Sequence, residues 1–263
     1  MPAIAELLEP LRAEPQASAI LCDVDGTLAP IVARPGDASV PQETRGALSE
    51  LAAVYALVAC VSGRRAVDAR QLVGLDGLVY VGNHGFEILR PGEAEPQLDP
   101  AAGRGDTTRR FVEGLNRSRL DVAGIRIEDK GPIQALHWRG APSQAAAQLQ
   151  ADEVAALARA EGVVPRWGRR VLELRPAAGV DKGAAVTRLL EETPVDNALY
   201  AGDDVTDLDA FRALGSMRSS SRLRTAVCVG VGSDEAPPGL VDQADLLVGG
   251  TEEFVTVLRA LLV

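Results

Sequence analysis

The feature that most constrains this chain is an apolar run, residues 17–22, that stops abruptly at Asp23-Val24-Asp25-Gly26-Thr27. Such a run reads as a buried strand, and Gly26 permits the sharp turn that must follow, so both carboxylates fall in a strand-end loop. Further apolar runs of the same form lie at 55–61, 77–81, 198–201, 225–229 and 245–248, and helical patterns occupy 41–53, 65–73, 182–192, 206–214 and 252–261. This alternation predicts an α/β fold, a doubly wound parallel sheet with helices on both faces. Such sheets place ligands beyond the carboxyl ends of their strands.

Pro- and Gly-rich patches at 90–105 and 175–179 read as two hinges. The segment between them has its own rhythm of helix, two strands, helix, two strands, at 107–120, 124–128, 133–138, 143–160, 164–167 and 170–174. The expected organisation is a core domain from 1–104 and 178–263, with an α+β cap inserted at 105–177.

Charge narrows the partners. Lys and Arg number 27 against 37 Asp and Glu, a net charge of -10, which argues against nucleic acid or an anionic membrane surface as the main partner. A small phosphorylated molecule remains possible if a metal and a few cations are placed locally. The longest apolar run, 51–61, is too short to cross a bilayer, and residues 1–16 carry Glu6, Glu9 and Glu14 instead of a basic start and apolar core. Cys22, Cys60 and Cys228 all lie in apolar runs, which suggests buried reduced thiols and a cytoplasmic protein.

Two carboxylates as close as Asp23 and Asp25 repel unless a cation or a shared proton intervenes, and Mg2+ is the simplest neutraliser. With such a metal present, Asp23 could attack phosphorus while Asp25 exchanges a proton with the leaving alcohol. A polar turn after a core strand is the bland alternative. A calcium loop fails, because the glycine comes too early and Arg34 stands where the closing glutamate belongs.

Other strand ends add to this. Ser62-Gly63 before a helix fits an anion nest or an N-cap. Lys182 opens a helix against its dipole, a misfit that suggests either a catalytic cation or a solvated end. Asp203, Asp204 and Asp207 crowd one loop after the 198–201 run; Asp203 is the best direct metal ligand, Asp204 and Asp207 could orient metal-bound waters, and Asp207 could equally cap the next helix. In the cap segment, Glu128 and Lys130 share a strand face, as do His137 and Arg139, and Glu173 nears the end of another strand. Carboxylates and cations together suit a hydroxyl-rich ligand, although a charged outer sheet face explains them as well.

Taken in order, these motifs resemble the haloacid dehalogenase superfamily phosphatases, through Asp23-Val24-Asp25-Gly26-Thr27, Ser62, Lys182 and Gly202-Asp203-Asp204. The narrower resemblance is to the trehalose-6-phosphate phosphatase family, through Ser62-Gly63-Arg64, Gly82-Asn83-His84-Gly85, Glu128-Asp129-Lys130-Gly131, His137-Trp138-Arg139, Leu172-Glu173-Leu174-Arg175-Pro176 and Gly202-Asp203-Asp204-Val205-Thr206-Asp207. Val205 and Leu208 depart from that pattern, where relatives often carry a basic and an acidic residue. The resemblance implies Asp23 as nucleophile, Asp25 as general acid and then base, and Mg2+ held by Asp23, Asp203 and the Asp25 carbonyl, with Asp204 beside it. It implies Thr27, Ser62, Gly63 and Lys182 around the phosphate. It also implies Asn83, Glu128, Lys130, His137, Arg139 and Glu173 around the sugar, and a functional link to a sugar-phosphate synthase. Sucrose, mannosylglycerate or glucosylglycerate phosphate are alternative substrates, and a catalytically silent sugar-phosphate sensor is the alternative of another class.

Overall fold

The computed structural model describes residues 4–262 apart from 33, 34, 169, 178, 234 and 235, so position 34 and one residue of the 175–179 patch lie outside the described residues. The chain opens with α1 (Ile4–Ala13), β1 (Ser18–Asp23), α2 (Gln42–Val54), β2 (Leu57–Val61), α3 (Ala66–Val73), β3 (Val79–Gly82), β4 (Glu87–Leu89) and β5 (Gln97–Leu98). It continues through α4 (Gly105–Glu113), α5 (Arg117–Val122), β6 (Arg126–Asp129), β7 (Gln134–His137), α6 (Gln144–Ala160), β8 (Val163–Gly168) and β9 (Val171–Pro176). It closes with α7 (Lys182–Glu192), β10 (Asn197–Gly202), α8 (Asp207–Ser219), β11 (Thr225–Val231), α9 (Pro238–Gln243), β12 (Leu246–Val248) and α10 (Thr251–Ala260). Contacts divide it into two compact units, Met1–Gln97 with Val180–Val263, and Leu98–Gly179.

The first unit is built on a sheet of order β12-β11-β10-β1-β2-β3-β4-β5. From β12 to β3 all neighbours are parallel, and β4 runs back antiparallel to β3. Along β1 the side chains alternate between two cores. Ile20 and Cys22 pack with Leu8 and Leu11 of α1, Leu48 of α2, Ala69 of α3 and Phe254 of α10. Ala19 and Leu21 pack with Val186 of α7 and Phe211 of α8. With both faces covered, every residue of β1, β2 and β10 is buried. These strands therefore read in sequence as unbroken apolar runs instead of alternating ones.

The second unit is an antiparallel sheet of order β6-β7-β9-β8. Leu136, Leu172 and Leu174 give it one apolar face, packed on Ala147, Ala151 and Val154 of α6 and on Phe111 of α4. The helix expected over 107–120 is in fact two. Helix α4 stops at Glu113, and the Asn116 side chain accepts the Arg119 N–H at 3.2 Å to start α5 afresh. Asn at such a position satisfies an otherwise orphaned helix-start donor, which is how it breaks an apparently continuous pattern.

No described helix is long and apolar enough to cross a membrane. The three cysteines are buried and unbridged, although Cys22 and Cys60 are register partners on β1 and β2. Burial pushes the Cys228 thiol up to about 12 and raises Cys22 and Cys60 as well. A mildly alkaline solution of a thiol reagent should therefore label none of them quickly in the folded protein and all of them after denaturation, a difference that mass spectrometry reads directly.

Candidate active site

The parallel strands β10, β1, β2 and β3 are neighbours in that order, so the residues just beyond their carboxyl ends are gathered by topology alone. Those residues are Asp203 after β10, Asp23 ending β1, Ser62 after β2 and Asn83 after β3. Lys182 joins them as the first residue of α7, a helix capped by the Asp181 carboxylate accepting the Ala184 N–H at 2.8 Å. Its buried ammonium donates to Asp23 Oδ1 at 2.6 Å and to Asp207 Oδ1 at 2.7 Å. Desolvation alone would lower the Lys182 pKa, but the two carboxylates outweigh it and hold the value above the ordinary one.

Asp207 is bonded through both of its oxygens. Its Oδ1 also accepts the Tyr200 hydroxyl at 2.7 Å, and its Oδ2 accepts the backbone N–H groups of Asp203 at 3.0 Å and Asp204 at 2.9 Å. Four donors match the four lone-pair sites of a carboxylate, which leaves Asp207 no room for a cation. It does not cap α8, whose N-cap position is held by Thr206 and has no side-chain cap bond; its own bonds fix the acidic loop and the lysine together.

Carboxylate oxygens of Asp23, Asp203 and Asp207 all lie within 4.8 Å of one another, and all three residues are buried. Three carboxylates crowd there, and Lys182 sets one positive charge against Asp23 and Asp207. Burial pushes the Asp23 carboxyl well above its ordinary value, opposed by Lys182 and reinforced by Asp207 and Asp203. A hard divalent cation between Asp23 and Asp203 would reverse that push, so the donor set fits one, and the saturation of Asp207 points to the other two as its ligands. Thr27 sits against the same place, its hydroxyl donating to Asp203 Oδ1 at 3.3 Å. Asp204 is partly exposed and accepts the Val205 N–H at 2.7 Å.

Asp25 faces differently. Arg64 grips it through both oxygens, Nε to Oδ2 and Nη2 to Oδ1, each at 2.7 Å. Ser62 is not the cap of α3, which begins four residues later at Ala66; its hydroxyl oxygen accepts the Arg64 N–H at 3.1 Å inside the loop. The start of α3 is served by Glu87, whose carboxylate accepts the Ala66 N–H at 2.8 Å and the Asn83 side-chain amide at 2.7 Å. Asn83 and His84 adopt left-handed backbone, with φ of 50° and 55°, and His84 returns its N–H to the Ser62 carbonyl at 3.0 Å. A Cβ added at Gly63 would meet the His84 ring at 2.6 Å.

In the inserted unit Glu128 and Glu173 each anchor an ion-paired group. His137 Nε2 and Glu128 Oε2 are 2.8 Å apart. Lys130 donates to Glu173 Oε1 at 3.0 Å, while Arg175 donates to Glu173 Oε2 at 2.6 Å. Glu128, Ala135 and Glu173 share one row across the sheet, and Leu136 and Leu172 of the neighbouring row point into the apolar core. Two details of the sequence reading change here. Lys130 lies one residue past the end of β6, and Arg139 stands in the turn after β7, which ends at His137, so neither holds the strand position expected of it.

Sequence reasoning gave no role to four partners, Arg64, Glu87, Arg175 and Tyr200. Arg64 and Arg175 carried a signal, their places in Ser62-Gly63-Arg64 and Leu172-Glu173-Leu174-Arg175-Pro176.

A family model described as trehalose-phosphatase matches residues 21–237. The chain belongs to the trehalose-phosphatase family. The trehalose-phosphate phosphatase of Mycobacterium marinum is 36% identical over 206 residues, which cover 75% of this chain. The chain spans about half of that relative's length, 51%. Among solved structures, a trehalose-6-phosphate phosphatase related protein is similar at 26% identity and a TM-score of 0.69, over 92% of this chain and 95% of the other. The C-terminal domain of a Candida albicans trehalose-6-phosphate phosphatase has the same fold at a TM-score of 0.75 and 23% identity, over 98% and 96%. The stretch matched by the trehalose-phosphatase model takes in Asp23, Ser62, Lys182, Asp203 and Asp207, as well as the whole inserted unit.

Two glycines show how closely this cluster is packed. Gly26 has φ 96°, and a Cβ on it would meet Asp203 Oδ2 at 2.1 Å; one on Gly202 would meet Asp207 Cγ at 2.3 Å. Gly26→Ala or Gly202→Ala should each lower unfolding stability by about 1–3 kcal/mol in denaturant titration, the usual cost of overpacking. A second expectation concerns Glu128, whose pKa is lowered from 4.5 chiefly by its hydrogen bond with His137. Because the folded value lies below the unfolded one, this contribution is present above about pH 4.5 and is lost as pH falls through the folded value. Melting curves of Glu128→Gln should accordingly lose a small part of the acid-side decline seen in the unaltered protein.

Proposed function

We propose that this chain hydrolyses trehalose 6-phosphate to trehalose and phosphate, with Mg2+, through an aspartyl-phosphate intermediate. The observation that carries the reading is the buried group of Asp23, Asp203 and Asp207 around the Lys182 ammonium at the ends of β1 and β10. A nucleophile, a cation and an acidic metal loop meet there, as phosphoryl transfer requires. Held by Asp23, Asp203 and the Asp25 carbonyl, with Asp204 alongside, Mg2+ supplies charge neutralisation for the phosphoryl oxygens.

In the first step an Asp23 carboxylate oxygen bonds to phosphorus as the bond to the sugar oxygen breaks, and Asp25 gives that oxygen a proton. In the second, Asp25 takes a proton from the water that cleaves the acyl phosphate, and Asp23 returns to its starting form. Lys182 offsets negative charge on Asp23 and on the transferring group in both steps. Thr27, Ser62 and the Gly63 backbone line the phosphate. Arg64 holds Asp25 through both oxygens, so Asp25 must exchange part of that pair for the sugar oxygen when it acts as an acid.

For the sugar we assign Glu128, Lys130, His137, Arg139 and Glu173, and likewise Asn83, as the family resemblance implies. The two ion-paired groups at Glu128 and Glu173 offer both donors and acceptors, which a polyhydroxy ligand can use in either sense.

The test is phosphate release across a panel of sugar phosphates. Trehalose 6-phosphate should be the preferred ester, a chelator should abolish release and added Mg2+ restore it. Asp23→Asn should bind the ester but not turn it over. Preference for a different ester would overturn the substrate, and an active Asp23→Asn the mechanism.

A further inference from the structure

We infer that Tyr200 is a positioning residue for the reaction proposed above: through Asp207, its hydroxyl sets how the Lys182 ammonium is shared between Asp23 and the transferring phosphoryl group. The inference rests on the roles given there to Asp23 and Lys182.

Tyr200 lies on β10, in register with Leu21 of β1. It is fully buried, and its ring meets Phe211 edge-on at a centroid distance of 6.0 Å. A buried tyrosine needs a partner for its hydroxyl, and any backbone carbonyl would serve. Here the partner is Asp207 Oδ1, the oxygen that Lys182 also reaches, each at 2.7 Å. Two donors on one oxygen compete, so each contact is set partly by the other.

The consequence falls on the lysine. An ammonium has three N–H groups. One is directed at Asp23 and one at Asp207, which leaves the third for an incoming oxyanion. Without the phenol, Oδ1 would answer to Lys182 alone, and the ammonium would be drawn toward Asp207 and away from Asp23. The other half of the Asp207 carboxylate, which holds the N–H groups of Asp203 and Asp204, would keep its bonds. The loop would stay in place while the charge beside the nucleophile shifted.

Tyr200→Phe keeps the ring and its packing and removes only the donor. Assayed on trehalose 6-phosphate with Mg2+, well below each variant's melting midpoint, it should lower kcat about tenfold or more, the scale of one hydrogen bond to a charged group. KM should stay within about twofold, because the loss concerns the transition state and not ground-state binding. In an Asp207→Asn background the same change should cost nothing further, since Tyr200 then lacks the carboxylate through which it acts. Should Asp207→Asn not fold, the cycle is run against Lys182→Arg, with the same non-additivity expected. Phe211→Leu, which loosens the ring without touching the hydroxyl, should lower the melting temperature and leave kcat unchanged. An unaltered kcat in Tyr200→Phe, or losses that add across the cycle, overturns the inference while the phosphatase reading stands. Absence of phosphate release from every sugar phosphate by the unaltered chain overturns that reading, and this inference with it.

Discussion

The carboxylate of Asp207 is the tie on which the rest of the site depends. It is fully buried and accepts from a lysine, a phenol and two backbone amides, which come from α7, β10 and the loop after β10. A charge taken out of water costs several kcal/mol unless such partners replace its hydration. The complete set of partners offsets that cost; removal of any one would leave the others facing an under-compensated anion. For this reason the acidic loop and the lysine behave as one body. The nucleophile is attached to the same body through Lys182.

The neighbouring pairs follow a different rule. Asp25 and Arg64 are partly exposed, so their bidentate pair is screened and exchangeable. The difference between a locked Asp23 and a lightly held Asp25 corresponds to the two tasks proposed for them. One must stay fixed in line with phosphorus, and the other must hand a proton back and forth.

Much of this was legible in the sequence. The runs of β1, β2 and β10 announced themselves because both of their faces are covered, and Lys182–Glu192 was visible as a helix because Asp181 caps it. The motif residues at strand ends were legible for a related reason: an acid directly after an apolar run has few other places to be. What could not be read were long-range pairings, such as Arg64 with Asp25 or Glu87 with the start of α3. Helix α1 was not legible because Pro10, a residue that ordinarily breaks a helix, stands inside it, while Leu8 and Leu11 anchor it in the core. The split between α4 and α5 turned on a single side-chain hydrogen bond. Arg139 was misplaced because a strand's end depends on its partner strand, which local pattern does not report.

The register of β1 with β10 joins Ser18 to Asn197 across most of the chain. During synthesis the strand bearing Asp23 therefore emerges from the ribosome long before one of its two neighbours exists, and the cap segment is made in the interval. The central sheet cannot close, nor the lysine and acidic loop find their places, until the residues that follow the inserted unit have been made. Until then the exposed edge of β1 is a surface on which a chaperone, or a second nascent chain, can act.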